Sequence, residues 1–369
     1  MDNSQIYSDN LERIQKTMRF EKTDRVPVLP TANAWTTRPL GIKLADYCAN
    51  GPTTIDVHLK CWQKVQPTVD ALQCVLYNTD FLKPMWLSQV RVPGVDLPDD
   101  ELWQVEEAEL VTVDDYHKIL STGYYKWLDG FLKEKLGDPF KDLQPTIAAG
   151  PEATQKCIEA GIVPLVPCII TIPFEMLCGG RSMINLMMDM YRRGDLLEKV
   201  LNAAFEEVLV ANRNLLRATK PVGCWVGGWR GASSLMSPDM WKRFVWPHFK
   251  ATVEMAVEEG VIPVLHLDSD WTNSLEYFRE LPRYQCIMSP DGATDIHKAR
   301  QVMKDHMAIL GDVSAALLAF GPPQEVSDYV KGLIKEFDGR GYMVSSGCDI
   351  PFNAQVENVE AMLRAAYEV

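Results

Sequence analysis

The chain alternates between short apolar runs and longer segments in which apolar residues recur every three or four positions. Eight of the short runs lack the polar alternation of a half-exposed strand, and this pattern predicts buried parallel strands. They are VPVL (26–29), ALQCVLY (71–77), VPLVPCI (163–169), VGCWVG (222–227), VIPVLH (261–266), YQCIM (284–288), MAIL (307–310) and GYMVSS (341–346).

Amphipathic helices are predicted between most of these strands, and the clearest cover residues 195–218, 237–260 and 322–339. The second of them begins with a serine followed by a proline, which is typical of a helix cap and first turn, and it ends at a glycine. Pro247 lies inside this helix and predicts a kink.

Eight strands that alternate with helices predict an α/β fold, a (β/α)8 TIM barrel formed by residues 1–369 as a single domain. A doubly wound open sheet is the alternative, but no GxGxxG fingerprint and no P-loop follows any of the strands. The segment from about 78 to 160 is long for one connection. We predict that it is an N-terminal helical excursion with helices of its own, including residues 153–161.

The composition narrows the class of protein. The chain has 369 residues, of which 47% are hydrophobic and 24% are charged, and these values are typical of a globular protein. The net charge of −13 argues against non-specific binding to nucleic acid or to an anionic membrane. No apolar run reaches the roughly 18 residues of a membrane span, and the N-terminus lacks a signal peptide, so we expect a cytoplasmic protein. Nine cysteines without a CxxC pair are expected to be mostly reduced, buried thiols.

Polar residues follow the predicted strands at their carboxyl ends, where a barrel carries its active site. They are Asn78, Asp80, Glu175, Trp229, Arg230, His266, Asp268, Asp291, Asp312 and Cys348. His266 and Asp268 are two residues apart, so on extended chain their side chains point the same way. With Cys348 they supply nitrogen, oxygen and sulfur, a donor set that suits a catalytic zinc ion better than magnesium or calcium. The alternatives are a hydrogen-bonded histidine, a helix-capping aspartate and a packed cysteine.

Six residues complete the candidate site besides His266, Asp268 and Cys348. They are Glu175 and Asp312 as catalytic groups, and Trp35, Trp225, Trp229 and Arg230 as substrate-binding groups. Glu175 is a candidate acid, base or fourth metal ligand, whereas Asp312 has a structural alternative. The tryptophans could equally be core residues. Arg230 could hold a substrate carboxylate through paired hydrogen bonds.

Four segments of the chain carry a family resemblance. They read MRFEKTDRVPV, LMSPDMWKRFVWPHFK, ILGDVSAALLAFGPPQEV and SSGCDIPFNAQVENVEAM. Together they resemble the uroporphyrinogen decarboxylase superfamily and are most similar to its methyltransferase branch. That branch contains corrinoid-linked enzymes such as the methylcobamide:coenzyme M methyltransferases and the corrinoid-dependent O-demethylase methyltransferases. The resemblance is strongest over 163–369 and implies a (β/α)8 barrel.

The resemblance also implies a metal site. Thiol-methylating members carry a His-x-Cys pair after the fifth strand and a second cysteine after the eighth, and all three residues bind zinc. Here His266 and Cys348 match, but Asp268 stands where the family has cysteine. A carboxylate in place of a thiolate makes zinc a harder, more Lewis-acidic ion that favours an oxygen ligand. We therefore expect the methyl donor to be oxygen-bound, an aromatic methyl ether, and the acceptor to be a cobalt(I) corrinoid.

The corrinoid is expected on a separate protein. The segment DIHKAR (295–300) begins like the DxHxxG corrinoid-binding motif but ends in arginine, and we predict a surface helix there. The predicted partners are thus a small-molecule methyl donor, a corrinoid protein and a second copy of the chain in a homodimer. Three alternative functions stay open: a methylcobamide:thiol methyltransferase, a metal-free decarboxylase of a small acid, and a catalytically silent barrel that binds a partner.

Overall fold

Parallel strands and their connecting helices account for most of the chain, and the computed structural model describes residues 2–368. Within that range the strands are β1 (Ala71–Leu72), β2 (Gln89–Arg91), β3 (Gln104–Glu106), β4 (Val163–Pro164), β5 (Ile169–Ile170), β6 (Gly223–Gly228), β7 (Ile262–Leu267), β8 (Ile287–Pro290), β9 (Ala308–Leu310) and β10 (Tyr342–Met343).

The α-helices of the same range are α1 (Asn3–Met18), α2 (Leu44–Ala49), α3 (Thr54–Lys64), α4 (Leu82–Trp86), α5 (Val113–Thr122), α6 (Tyr124–Lys135), α7 (Pro139–Glu159), α8 (Pro173–Gly180), α9 (Met183–Arg192), α10 (Gly194–Thr219), α11 (Pro238–Phe244), α12 (Trp246–Glu258), α13 (Ile296–Met303), α14 (Ala315–Phe320), α15 (Pro323–Glu336) and α16 (Val356–Ala365). Short 3₁₀ helices lie at Ala34–Leu40, Gly51–Thr53, Thr79–Phe81, Ser233–Leu235 and Thr272–Glu280. None of the helices in residues 2–368 combines the length and apolar character needed to cross a membrane.

The strands pair mainly in parallel. Six of them form one parallel sheet in the order β10-β9-β8-β7-β6-β5, and β1 pairs in parallel with β4. Strands that follow one another along the chain are therefore neighbours in the sheet, with helices between them. The predicted α/β class is confirmed, and every strand of the large sheet ends at the same edge.

Of the strand predicted at 26–29, only Val28 is paired as a strand residue. Val28 forms one parallel bridge to Val344, and its carbonyl accepts a hydrogen bond of 2.9 Å from the backbone N–H of Asp70. Pro27 and Pro30 lack an N–H, so a longer ladder cannot form here. Closure of the sheet into a barrel therefore stays a prediction.

Several element boundaries differ from the prediction. The strand predicted at 71–77 ends at Leu72, and the one predicted at 163–169 is divided into β4 and β5. The helix predicted over 237–260 is two helices, α11 and α12, because Pro247 occupies the first turn of a new helix instead of kinking a continuous one. The predicted excursion contains α4 to α7, but it also contains an antiparallel β2–β3 hairpin that we did not predict.

A separate cluster of apolar side chains fills the inner face of the sheet. It contains Ile14, Met18, Leu29, Ala71, Val163, Leu165, Val166, Val264, Ile287, Ala308, Leu310 and Met343. Ile14 and Met18 come from α1, which contacts β4 and β10. Helix α1 thus covers the interior at the amino ends of the strands, and the carboxyl ends are left for the polar residues.

Asp70 holds the N-terminal segment against the sheet. Its side chain is completely buried and accepts hydrogen bonds of 2.7 Å from the guanidinium groups of Arg13 and Arg25 and from the backbone N–H of Val28. Both arginine side chains are less than 15% exposed. Helix α1, the segment from Arg25 to Val28 and the start of β1 therefore meet at one buried carboxylate.

Replacing Asp70 with asparagine is expected to lower the free energy of unfolding by about 3–5 kcal/mol, because two guanidinium groups lose a buried counter-charge. Urea denaturation would measure the change. Asp24 is the matched control, since it also pairs with Arg13 but is 65% exposed. Asp24→Asn should cost less than about 1 kcal/mol. Equal losses in the two variants would contradict the role given to Asp70.

Candidate metal centre and active site

His266, Asp268 and Cys348 meet at the carboxyl end of the sheet, as the sequence predicts. Within residues 2–368 they form the one group of histidine, cysteine and carboxylate side chains whose ligand atoms all lie within 4.8 Å of one another. His266 Nε2 lies 3.6 Å from Cys348 Sγ and 3.3 Å from Asp268 Oδ1. The imidazole is 3% exposed.

The curvature of the sheet brings these residues together. His266 lies in β7 and Cys348 follows β10, with β8 and β9 between them. Adjacent strands are about 4.8 Å apart, so a flat sheet would separate the two positions by roughly 14 Å. Their side chains are in contact, and the sheet must therefore be strongly curved at this edge.

The electrostatics of this group favour a cation. Burial alone lowers the pKa of His266, but the neighbouring Asp268 carboxylate and Cys348 thiol outweigh it and raise that pKa to about 10. Asp268 Oδ1 is buried and lies outside hydrogen-bond geometry with the imidazole, so it has no hydrogen-bond partner in the described chain. A buried acceptor without a donor is costly. The site fits a zinc ion, for which nitrogen, carboxylate oxygen and thiolate sulfur are common ligands.

Trp225 lies flat against the imidazole of His266. The two ring centroids are 4.3 Å apart and the ring planes differ by 3°. The indole Nε1 donates to Gln73 Oε1 at 3.2 Å. One face of the indole is therefore occupied by His266, which leaves less of it for a substrate than we expected.

Trp229 occupies the neighbouring space. It is 6% exposed, and its ring fills the volume that a side chain at Gly227 would take. Gly227 pairs directly with His266 in the sheet, so glycine at this position lets the indole of Trp229 lie beside this candidate metal ligand. The ring centroid of Trp86, from the excursion, lies 5.0 Å from that of Trp229. Trp86 thus joins the candidate site, although the sequence did not single it out.

Arg230 is already paired. Its guanidinium lies 3.1 Å from the carboxylate of Glu107, donates to the carbonyl of Cys178 at 3.1 Å and lies 4.9 Å from the ring centroid of Trp86. A substrate carboxylate would have to compete with Glu107. The substrate-binding role of Arg230 stays a prediction that these contacts do not favour.

Glu175 organises the loop that follows β6. Its side chain is completely buried, and its two oxygens accept hydrogen bonds of 2.8–3.0 Å from the backbone N–H groups of Trp229, Arg230 and Gly231. Burial raises the pKa of Glu175 to about 7, although these three donors lower it. The geometry gives Glu175 a positioning role, and its predicted part in catalysis stays a prediction.

Asp312 and Trp35 lie deeper than an active-site role suggests. Asp312 is 4% exposed and accepts a hydrogen bond of 2.6 Å from the hydroxyl of Tyr329, while burial raises its pKa. Trp35 is completely buried and donates from its indole nitrogen to the carbonyl of Ala354. Its ring packs on that of Trp62 at a centroid distance of 5.8 Å. These contacts favour structural roles, and both predicted functions stay predictions.

Two aspartates connect the loops that carry the candidate metal ligands Asp268 and Cys348. Asp291 Oδ2 accepts a hydrogen bond of 2.7 Å from the backbone N–H of Ser269, next to Asp268. A side chain at Gly347, next to Cys348, would collide with the backbone of Asp291. Asp291 was visible in the sequence as a polar residue after the sixth strand, but nothing in the sequence assigned it to this contact.

Asp349 makes the second connection. Its carboxylate accepts hydrogen bonds from the backbone N–H of Asn33 at 2.9 Å and from the Asn33 side chain at 3.0 Å. Burial raises the pKa of Asp349 to about 6, although both hydrogen bonds lower it. The loop that carries Cys348 is thereby tied to the segment after Val28. In the sequence, only the position of Asp349 beside Cys348 indicated that this aspartate belongs to the site.

The titration of Glu175 gives a pH-dependent prediction for the metal-free protein. The folded protein holds this proton more tightly than the unfolded chain, whose ordinary value is 4.5. The contribution of Glu175 to the free energy of unfolding is therefore full below about pH 4.5 and is lost as the pH rises through about 7, on the order of 3 kcal/mol. Denaturant unfolding of the wild type and of Glu175→Gln should be compared across this pH range. As the pH rises, the free energy of unfolding of the wild type should fall relative to that of the variant. Parallel pH profiles would contradict the prediction.

The comparisons with known proteins agree with this fold. No curated protein sequence matches the chain. Among solved structures, a "methyltransferase from Methanosarcina mazei" superposes with a TM-score of 0.72 at 17% sequence identity, and the match covers 97% of this chain and 98% of that one. At this identity the likeness concerns the fold alone.

The family itself is identified by sequence. A sequence model described as "Uroporphyrinogen decarboxylase (URO-D)" matches residues 135–369, which is more than half of the chain. The match includes all three candidate metal ligands and leaves out most of the excursion, where the resemblance was weak. It covers three of the four sequence segments that carry the resemblance, since MRFEKTDRVPV lies before residue 135, and the chain belongs to the uroporphyrinogen decarboxylase (URO-D) family.

Proposed function

We propose that this protein is a zinc-dependent, corrinoid-linked methyltransferase that demethylates an aromatic methyl ether. The observation that carries the proposal is the convergence of His266, Asp268 and Cys348, with ligand atoms within 4.8 Å of one another. Membership of the family and the likeness to a structure named as a methyltransferase support the reaction class.

His266, Asp268 and Cys348 would hold the zinc ion, which when bound supplies Lewis-acid stabilisation of negative charge on the leaving oxygen. The methyl group moves from the ether oxygen to the cobalt(I) of a corrinoid on a separate protein. The carbon–oxygen bond breaks with its electron pair staying on oxygen, and the carbon–cobalt bond forms from the electron pair of cobalt(I). The products are a phenolate and a methylated corrinoid.

The protein surroundings support an aromatic substrate more than a polycarboxylate. The indole of Trp229 lies over Gly227, the sheet partner of His266, and the indole of Trp86 packs against that of Trp229. The cation of Arg230 is paired with Glu107, and that of Arg181 is paired with Asp189 and Glu109. A substrate with many carboxylates needs cations that are free to bind it. These pairings count against a decarboxylase acting on such a substrate.

The proposal includes the closed (β/α)8 barrel. Residues 27–29 lie between β10 and the start of β1, because Val344 N donates to the carbonyl of Pro27 and Asp70 N donates to the carbonyl of Val28. The backbone N–H of Val163 in turn donates to the carbonyl of Asp70. These hydrogen bonds support a ring of strands whose common carboxyl edge carries the metal ligands.

Purified wild-type protein is expected to contain about one zinc ion per chain, and Cys348→Ser should lose most of it, because a neutral hydroxyl is a much weaker ligand than a thiolate. Elemental analysis of the two proteins prepared side by side would measure this. Cys48 is also partly exposed, so Cys48→Ser is the control and should retain its zinc. A wild type that carries no transition metal after metal-replete purification would contradict the proposal.

A methoxyarene and a cobalt(I) corrinoid are expected to give a phenol and methylcobalt only in the presence of the zinc-loaded enzyme, followed by the corrinoid absorption spectrum. Removing the metal with a chelator should abolish the reaction, and zinc should restore it. Asp268→Cys, which recreates the thiolate of other family members, should keep its zinc but lose at least about tenfold in rate, because the metal becomes a weaker Lewis acid.

Three other results would point elsewhere. Methyl transfer only from methylcobalamin to a thiol would identify the thiol methyltransferase. Release of carbon dioxide that a chelator does not affect would identify a decarboxylase. A folded His266→Ala variant that still binds a partner protein, with no activity in the wild type, would favour a binding subunit.

A further inference from the structure

No protein group among residues 2–368 makes to His266 the hydrogen bond that usually orients a metal-binding histidine. Such a histidine almost always donates its second ring nitrogen to a carboxylate, a carbonyl or water. The Nε2 atom of His266 faces Asp268 and Cys348, while the buried Nδ1 atom has no hydrogen-bond partner among residues 2–368. The ring contact that is present is the parallel stack on Trp225, with 4.3 Å between centroids.

The register of the sheet produces this stack. Trp225 and Gly227 lie in β6, and they pair with Val264 and His266 of β7, respectively. Trp225 and His266 are therefore diagonal neighbours on one face of the sheet, within reach of long aromatic side chains. Gly227 has no side chain of its own, and the ring of Trp229 occupies the space over it, next to the stacked rings of Trp225 and His266.

Gln73 holds the indole in this plane. Its Oε1 accepts from Trp225 Nε1 at 3.2 Å, and its Nε2 donates to the carbonyl of Leu29 at 2.5 Å and to Ser345 Oγ at 3.2 Å. A backbone carbonyl can only accept, so the amide nitrogen of Gln73 must face Leu29 and the oxygen must face the indole. Gln73 is 2% exposed, and its three partners leave the amide one orientation.

We propose that Gln73 and Trp225 are positioning residues that set the ring plane of His266 for metal binding. The inference rests on the zinc site proposed above. An imidazole bound to a metal cation carries partial positive charge, and the electron-rich face of an indole attracts such a ring. Without Gln73 the indole loses the anchor of its N–H group, so the stack can tilt and carry the imidazole away from Asp268 and Cys348.

Zinc affinity and the visible ligand-field spectrum of bound Co²⁺ would test this role. Trp225→Leu removes the stack and should weaken zinc binding by about 10- to 100-fold, the usual effect of losing a residue that orients a ligand. Gln73→Leu and Trp225→Phe both remove the hydrogen bond between residues 73 and 225 but keep an aromatic ring at 225, so both should weaken binding less than Trp225→Leu and alter the Co²⁺ spectrum in the same direction. Competition with a chelator measures the affinity.

The double variant separates positioning from a structural role. If Gln73 acts through the indole, adding Gln73→Leu to Trp225→Phe should not weaken zinc binding further. If it acts only through Leu29 and Ser345, the loss should be the same in both backgrounds, which would overturn the proposal. Ser345→Ala is the comparison variant, because it removes one hydrogen bond of Gln73 without touching Trp225. Its zinc affinity should fall less than that of Gln73→Leu, because the carbonyl of Leu29 still holds the amide nitrogen.

The outcomes also separate this inference from the zinc proposal. A wild type that binds neither zinc nor Co²⁺ contradicts the proposed function, and the positioning role falls with it. A wild type that binds zinc together with Trp225→Leu that binds equally well, with an unchanged Co²⁺ spectrum, overturns the positioning role alone. If Gln73→Leu fails to fold by circular dichroism, the Trp225 variants still decide the question.

Discussion

Parallel pairing along a curved sheet is the constraint on which the rest of the structure depends. Every strand of the six-stranded sheet ends at one edge, so residues far apart in the chain can share one site. Strand pairing alone does not bring His266 and Cys348 together, because β8 and β9 lie between β7 and β10. Curvature brings His266 and Cys348 into contact, and the loops fastened by Asp291 and Asp349 then hold their neighbours in place.

Charge at this edge follows one pattern. Asp268 Oδ1 has no hydrogen-bond partner in the described chain, and Glu175 and Asp291 are held by backbone donors. Arg181 and Arg230, by contrast, are paired with other acidic residues. A buried excess of negative charge is costly unless a cation or protons offset it. In the absence of metal, the raised pKa of His266 and of Glu175 both reduce the negative charge of the site. A divalent cation would offset the same charge directly, which is why the donor set and the electrostatics favour a metal together.

The histidine is oriented by packing. A stacked indole restrains the plane of the imidazole, while a hydrogen bond would also restrain the direction of one nitrogen. Gln73 restrains the indole in turn, because its amide is held by Leu29 at the end of the first predicted strand and by Ser345 in the loop after β10. Such an arrangement connects the candidate metal site to the place where the N-terminal and C-terminal segments of the chain meet, since Leu29 and Ser345 both hold Gln73.

The sequence by itself determined the α/β class, the positions of the long helices α10 and α15 and the three candidate metal ligands, because hydrophobic periodicity and residue chemistry are local properties. It did not determine where the strands end, so Gln73 was taken as part of a strand although it is the first residue beyond β1. Only the tertiary structure showed that Trp35 is core, that Arg230 is paired with Glu107 and that Trp225 stacks on His266. The physical reason is that partner choice depends on register and curvature, which bring together residues that no pattern along the chain connects.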